Sequence, residues 1–153
     1  MADPIWIVLA ARPKRMFRVM AKKEVMEVPV LRAVLKWLGV FGVDRSGADI
    51  NAVKTGLKCL RNDQQLLLFP EGTRVKPGET VAPKGGAILF SSRTSTPIVP
   101  VYISVNRVPF GPISCVFGEP YLPVEPGNKP TEQEMVVLAQ ELMDRVYALE
   151  AQA

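Results

Sequence analysis

The sequence contains no histidine. Within these 153 residues there is therefore no imidazole to serve as a general base near neutral pH. Cysteine is almost as scarce. Cys59 and Cys115 are too few for a disulfide framework, and neither has a metal-ligand neighbour. That points to a reducing compartment and to two plain buried thiols. Long apolar runs are missing too. The longest is Ile5 to Ala11, well short of the roughly 20 residues a helix needs to cross a bilayer. Asp3 precedes it, and Arg12, Lys14 and Arg15 follow it, the reverse of a basic secretory leader. These absences place the chain in the cytoplasm or on the cytoplasmic face of a membrane, with no transmembrane segment. Low-complexity tracts and internal repeats are also lacking.

What is present is an ordinary globular balance, 48% apolar and 22% charged, over a length that suits one compact domain, residues 1–153. The 14 prolines are scattered between apolar runs and act as loop punctuation. The net charge of +4 conceals an asymmetry: residues 1–118 hold 17 basic and 8 acidic side chains, residues 119–153 hold 2 and 7. The densest basic stretch is Arg12, Lys14, Arg15, Arg18, Lys22 and Lys23. Beside an anionic bilayer each such charge adds about 1 kcal/mol of attraction, although charge alone favours a merely solvated face. Nucleic-acid binding is the weaker reading, because no aromatic-rich motif accompanies the charges.

Asp3-Pro4 ahead of an apolar run reads as a helix start. Met16 to Met20 reads as a strand, Val30 to Leu38 as a helix, and Val40 to Val43 as a second, brief strand. Ser46 and Asp49 form a capping-box-like pattern. The helix they open carries Ile50, Val53, Leu57 and Leu60 along one stripe. Leu66 to Phe69 suits a strand buried on both faces. Gly86 to Ser91 reads as helical, Ile98 to Ile103 as a buried strand with Pro100 at an edge or bulge, and Ser114 to Phe117 as a strand. Thr131 and Glu134 make a second capping box. The helix behind it presents Met135, Leu138, Leu142 and Leu149, with Val146 flanking. Strands alternate with helices, which predicts an α/β layered domain with a largely parallel central sheet flanked by helices. Its site is expected at the carboxyl ends of the strands.

The loop after Phe69 is such a place. It runs Phe69-Pro70-Glu71-Gly72-Thr73-Arg74. Gly72 lets the backbone turn and approach a ligand. Arg74 offers a fork of donors matched to a phosphate monoester, and Thr73 adds a hydroxyl and an amide. Glu71 can accept from a substrate hydroxyl or hold Arg74. On physics alone an ordinary strand-to-loop turn with an exposed ion pair explains the segment equally well.

The string as a whole resembles the glycerolipid acyltransferases, the 1-acylglycerol-3-phosphate acyltransferase family. Ala21-Lys22-Lys23-Glu24 resembles its short basic segment after a strand. Gly42-Val43-Asp44-Arg45 resembles its second block, and Val99-Pro100-Val101 its last. Lys84-Gly85-Gly86 matches a recurring Lys-Gly element between the third and last blocks. Asp3-Pro4 fits the end of the first block, a His, four residues and an Asp. The resemblance implies acyl transfer from a thioester, acyl-coenzyme A or acyl carrier protein, to the free hydroxyl of a lysophospholipid, with lysophosphatidic acid as the family default. It implies no metal, no cofactor and no covalent acyl-enzyme.

Carried over residue by residue, Asp3 is the surviving half of the catalytic dyad. Glu71, Gly72, Thr73 and Arg74 bind the acceptor, Arg45 and Lys22 add charge for its phosphate, and Pro100 belongs to the last block. The histidine would fall five positions before Asp3, where only two residues stand. An N-terminally truncated chain is therefore expected, without the His block and the membrane-associating segment, and with little or no turnover alone. The competing reading is a non-catalytic lipid- or phosphate-binding module.

Overall fold

The computed structural model describes residues 7, 10–11, 17–22, 39–43, 49–72, 81–104 and 113–153, the side chains of 21 and 22 excepted. Ile7, Ala10 and Ala11, in the apolar run behind Asp3-Pro4, are helical, with Ile7 buried; Asp3-Pro4 itself, the expected helix at Val30 to Leu38, Met16 and Ser46 lie outside these residues. Three strands, β1 (Phe17–Lys22), β2 (Val40–Val43) and β3 (Gln65–Leu67), form a parallel sheet in the order β2-β1-β3. Val19 to Lys22 pair with Val40 to Val43, and Phe17 to Val19 with Gln65 to Leu67. Pairing through Lys22 carries β1 two residues beyond the run expected from sequence. β2 lies where the sequence places it.

Gly39 fixes how β2 enters beside β1. Its φ is +77°, and a Cβ there would stand 2.5 Å from the Phe17 carbonyl oxygen, so only glycine fits without backbone movement.

Helix α1 (Ile50–Arg61) links β2 to β3 and packs on both. Its N-cap is Asp49, whose carboxylate accepts from the Ala52 amide at 2.9 Å. Asp49 is thus the cap itself and not the partner of a box opened at Ser46. The stripe expected on this helix is also turned. Ile50 is 65% exposed, and the buried line is Ala52, Gly56 and Cys59. The reason is tertiary. Helix α2 (Gly86–Thr94) brings the Phe90 ring against α1, and a Cβ on Gly56 would sit 2.6 Å from it. The small side chains therefore face the core, and the larger ones flank it.

β3 covers only three residues, and Leu66 to Phe69 are half-buried. The expectation of a strand enclosed on both faces is corrected accordingly. α2 extends three residues beyond the expected Ser91.

β4 (Val101–Ile103) and β5 (Cys115–Phe117) form a separate antiparallel pair, with Val101 opposite Phe117 and Ile103 opposite Cys115. Pro100 has no amide to give to a ladder. Its carbonyl accepts from Gly118, and an isolated Ile98–Tyr121 bridge lies beyond it, so Pro100 interrupts the strand as its type demands. Cys59 is buried, whereas Cys115 is half-buried, a correction to the reading of both as core residues.

The long helix α3 (Glu132–Ala148) starts with the expected capping box. The Glu134 amide donates to Thr131 Oγ1 at 3.3 Å, and the Thr131 amide donates to the Glu134 carboxylate at 2.7 Å. Ala139, Leu142 and Met143 are its buried residues. Met135, Leu138 and Val146 are half-buried beside them. A terminal 3-10 turn, Leu149–Gln152, closes on the β4–β5 pair, where the Tyr102 hydroxyl donates to Glu150 at 2.7 Å. Ile88, in α2 between α1 and α3, is fully buried.

Candidate functional site

Parallel pairing sends the carboxyl ends of β1, β2 and β3 to one edge of the sheet. β1 ends at Lys22, level with Val43 of β2. β2 ends two residues before Arg45, and β3 leads into Leu68, Phe69, Pro70, Glu71 and Gly72. Three of the sequence blocks thus leave neighbouring strands at the same edge, the place where ligands sit in open α/β sheets.

The turn after β3 is built by two backbone bonds. The Gly72 amide donates to the Phe69 carbonyl at 3.0 Å, and the Lys84 amide donates to the Pro70 carbonyl at 2.8 Å. Gly72 has φ +66°. A Cβ at that position would meet the Lys84 stem, 2.9 Å from Cδ and 3.0 Å from Cε. The turn therefore needs glycine both for its backbone conformation and for the lysine lying across it. Lys84 is itself placed by its neighbour in the chain. Gly85 caps α2 and packs against Met135 of α3, where a Cβ would come within 3.3 Å of the Met135 Cβ. Glu71 is half-buried in this turn, and its burial pushes the carboxyl above the ordinary range.

Of the residues singled out in the sequence, the structure brings Glu71 and Gly72 together with Lys84 and sets the end of β1, at Lys22, on the same edge. Asp3, Arg45, Thr73 and Arg74 lie outside the described residues. Pro100 is buried in the second sheet, with its carbonyl on the Gly118 amide and Leu149 packed against Gly118. Lys84 was not among the candidate site residues. The signal available was its position directly before the Gly-Gly pair that starts α2, but nothing local reveals that this pair lands beside Gly72.

A cleft of about 330 Å³ opens elsewhere, between Arg18, Phe41, the last turn of α1 and Gln64. Arg18 Nε donates to Gln64 Oε1 at 3.2 Å there. Gln64 precedes β3, so this cleft lies toward the amino-terminal side of the sheet, away from the Glu71 turn. Among the described residues no cluster of three or more metal-ligating side chains occurs, and no helix is long and apolar enough to cross a membrane.

The family model described as Acyltransferase matches residues 1–104, more than half of the chain. The chain belongs to the acyltransferase family. A 1-acyl-sn-glycerol-3-phosphate acyltransferase of Bacillus subtilis (strain 168) is 29% identical over 136 residues, 86% of this chain and 67% of that protein. One of Streptococcus pneumoniae is 32% identical over 100 residues, 65% of this chain and 36% of that protein. The crystal structure of a 1-acyl-sn-glycerophosphate acyltransferase from Thermotoga maritima superposes with a TM-score of 0.63 at 23% identity, covering 89% of this acyltransferase chain and 58% of that one. This last likeness is one of fold. The chain thus spans about two thirds of the Bacillus protein and 36% of the Streptococcus protein. The α/β architecture with a parallel sheet expected from the sequence is the fold that the Thermotoga protein shares with it.

Proposed function

We propose that this chain carries the acceptor-binding part of an enzyme that moves an acyl group from acyl-coenzyme A or acyl carrier protein to the free hydroxyl of a lysophospholipid, 1-acylglycerol-3-phosphate in the first place. One observation supports the reading above the others. The Phe69–Arg74 string leaves the carboxyl end of β3 on the same sheet edge as the ends of β1 and β2, the strands that precede Lys22 and Arg45 in the sequence. The names of the relatives point the same way.

In this reading Arg45, Arg74 and Lys22 receive the acceptor's phosphate, and Thr73 and the Gly72 turn let the backbone come close to it. Glu71 orients the acceptor, and Pro100 shapes the last block. The acceptor hydroxyl oxygen attacks the thioester carbonyl carbon, the C–S bond breaks, and the thiolate leaves as the alcohol's proton passes to a base. Asp3 would orient that base, which in the family is a histidine. The 153 residues contain none, so no imidazole among them can take the proton. Residues 1–153 are read as a single acyltransferase-like domain. It docks on the cytoplasmic face of an anionic membrane through the basic stretch from Arg12 to Lys23.

The second reading is a lipid- or phosphate-binding module without turnover. The test compares this chain with a version whose upstream residues place a histidine five positions before Asp3. Both are assayed for transfer from acyl-coenzyme A and from acyl carrier protein to lysophosphatidic acid. Transfer is expected from the longer version alone, at least about 100-fold above this chain, and is expected to be lost on Arg74→Ala. Robust transfer by this chain, dependent on Arg74, would overturn the general-base assignment. Binding of lysophosphatidic acid with no transfer by either version would favour the module.

A further inference from the structure

Lys84 is held from two sides. Its backbone amide is spent on the Pro70 carbonyl, and Gly85 beside it is packed on Met135, so the start of the side chain has little freedom. Its stem then crosses Gly72, with Cδ and Cε where a Cβ on that glycine would have to be. A long cationic side chain that lays its methylenes along another surface keeps its head at the solvent boundary. Here the ammonium is one bond beyond the Cε that lies against Gly72, the residue that precedes Thr73 and Arg74 in the sequence. The residue as a whole is exposed, and its ammonium has no ion-pair partner among the described residues.

Glu71, on the same turn, does not neutralise it. No ion pair joins the two among the described residues, and burial moves the Glu71 carboxyl upward. The fold thus fixes the stem of this lysine and leaves its charge unpaired, among the described residues, beside the turn at Gly72.

We propose that Lys84 is a specificity-determining residue of the acceptor site: its ammonium, delivered across Gly72, contributes to recognition of the phosphate monoester and so distinguishes a phosphorylated acceptor from a neutral one. The inference rests on the functional reading above and adds to it a cation from the α2 side of the turn. Lys84→Met keeps a stem of similar length over Gly72 and removes the charge. Lys84→Arg keeps the charge. Because the side chain is exposed, both variants fold, which circular dichroism and thermal unfolding check.

Binding of lysophosphatidic acid and of uncharged monoacylglycerol, each in neutral detergent micelles, is measured for the full 153-residue chain and both variants. Lys84→Met is expected to weaken lysophosphatidic acid binding roughly tenfold, the lower end for a lost charge-assisted hydrogen bond. It should leave monoacylglycerol binding unchanged, and Lys84→Arg should bind both within about twofold of the parent chain. If the parent discriminates between the two lipids and Lys84→Met discriminates equally well, the Lys84 assignment is wrong while the functional reading stands. Equal loss of both lipids in Lys84→Met would reduce Lys84 to a prop for the turn and would also overturn the assignment. A parent chain that shows no preference for the phosphorylated lipid would overturn the functional reading itself, and Lys84 with it.

Discussion

Two carboxylates show how differently the two halves of the molecule are built. Glu134, in the half made of β4, β5 and α3, closes a capping box. Hydrogen bonds from Thr131 draw its carboxyl below the ordinary range, so the ionised form belongs to the fold. Glu71, in the half made of the parallel sheet, α1 and α2, is pushed the other way by burial alone among the described groups. The first carboxylate supports its helix. The second is held where its charge is disfavoured, which is the cost that sites accept and scaffolds avoid. The net charge follows the same division: the sequence is basic up to residue 118 and acidic beyond it. The difference teaches that in the parallel half folding and site formation are one event, because the turn at Gly72 is tied by the Lys84 amide to the segment that leads into α2. In the other half most of the closing contacts stand apart from the turn, Met135 against Gly85 being the exception.

The strongest way to break this comparison is at Gly39. Gly39→Val combines a positive φ with a Cβ driven into the Phe17 carbonyl oxygen. A loss of about 3 kcal/mol or more is expected. Chemical unfolding measures it, and lysophosphatidic acid binding should fall with the folded fraction. A Gly39→Val chain that loses stability but still binds normally would show that site and sheet are separable after all.

A smaller effect is expected at the cap of α3. Thr131→Ala removes the side-chain half of the box, leaving the backbone amide on Glu134, and should cost about 1 kcal/mol in urea unfolding at neutral pH. Lipid binding should be untouched. The sign with pH comes from Glu134, whose carboxyl is lower in the folded state than in the unfolded one. The stability it supplies is present above the ordinary carboxylate range and fades as pH falls through the folded value. Most of that effect comes from the Thr131 backbone amide, which alanine keeps, so the difference between Thr131→Ala and the parent should narrow only slightly in acid, by the lost side-chain bond.

The smallest effect has the opposite sign. The Glu71 carboxyl is raised in the folded state, so the folded state favours its neutral form. That contribution is complete below the ordinary carboxylate range and is lost as pH rises through the raised value. Glu71→Gln should thus unfold no earlier than the parent, and slightly later at neutral pH. The two should converge as pH falls below the ordinary carboxylate range. Thermal unfolding at several pH values decides it. A clearly destabilised Glu71→Gln at neutral pH would mean that the ionised carboxylate is a structural element like Glu134.

How much of this was legible in the sequence depended on how local the cause is. The box at Thr131 and Glu134 was readable because both partners lie within one turn, and β2 was readable between its glycine and the loop after it. The buried face of α1 was not, because it is set by Phe90, which stands 34 residues from Gly56 in the numbering. Periodicity finds the large side chains and overlooks a face made of Ala52, Gly56 and Cys59. The separate antiparallel pairing of β4 and β5 was missed for a similar reason. Apolar runs say that strands exist, whereas their partners and direction are decided at long range. At the site, the string from Phe69 to Arg74 was recognisable as a string. The lysine across Gly72 was not, since only the meeting of β3 and α2 puts the two together.

The contact between Gly56 and Phe90 makes those two positions a single unit of volume. The missing side chain on one helix is the space that the ring on the other occupies. Neither position can drift alone. A methyl group gained at Gly56 must be answered by a smaller side chain at Phe90, and a ring lost at Phe90 leaves a void that only growth at Gly56 can fill. Substitution along this seam therefore proceeds by exchange between two helices, and the spacing that brings α2 to the Glu71 turn is kept through each exchange.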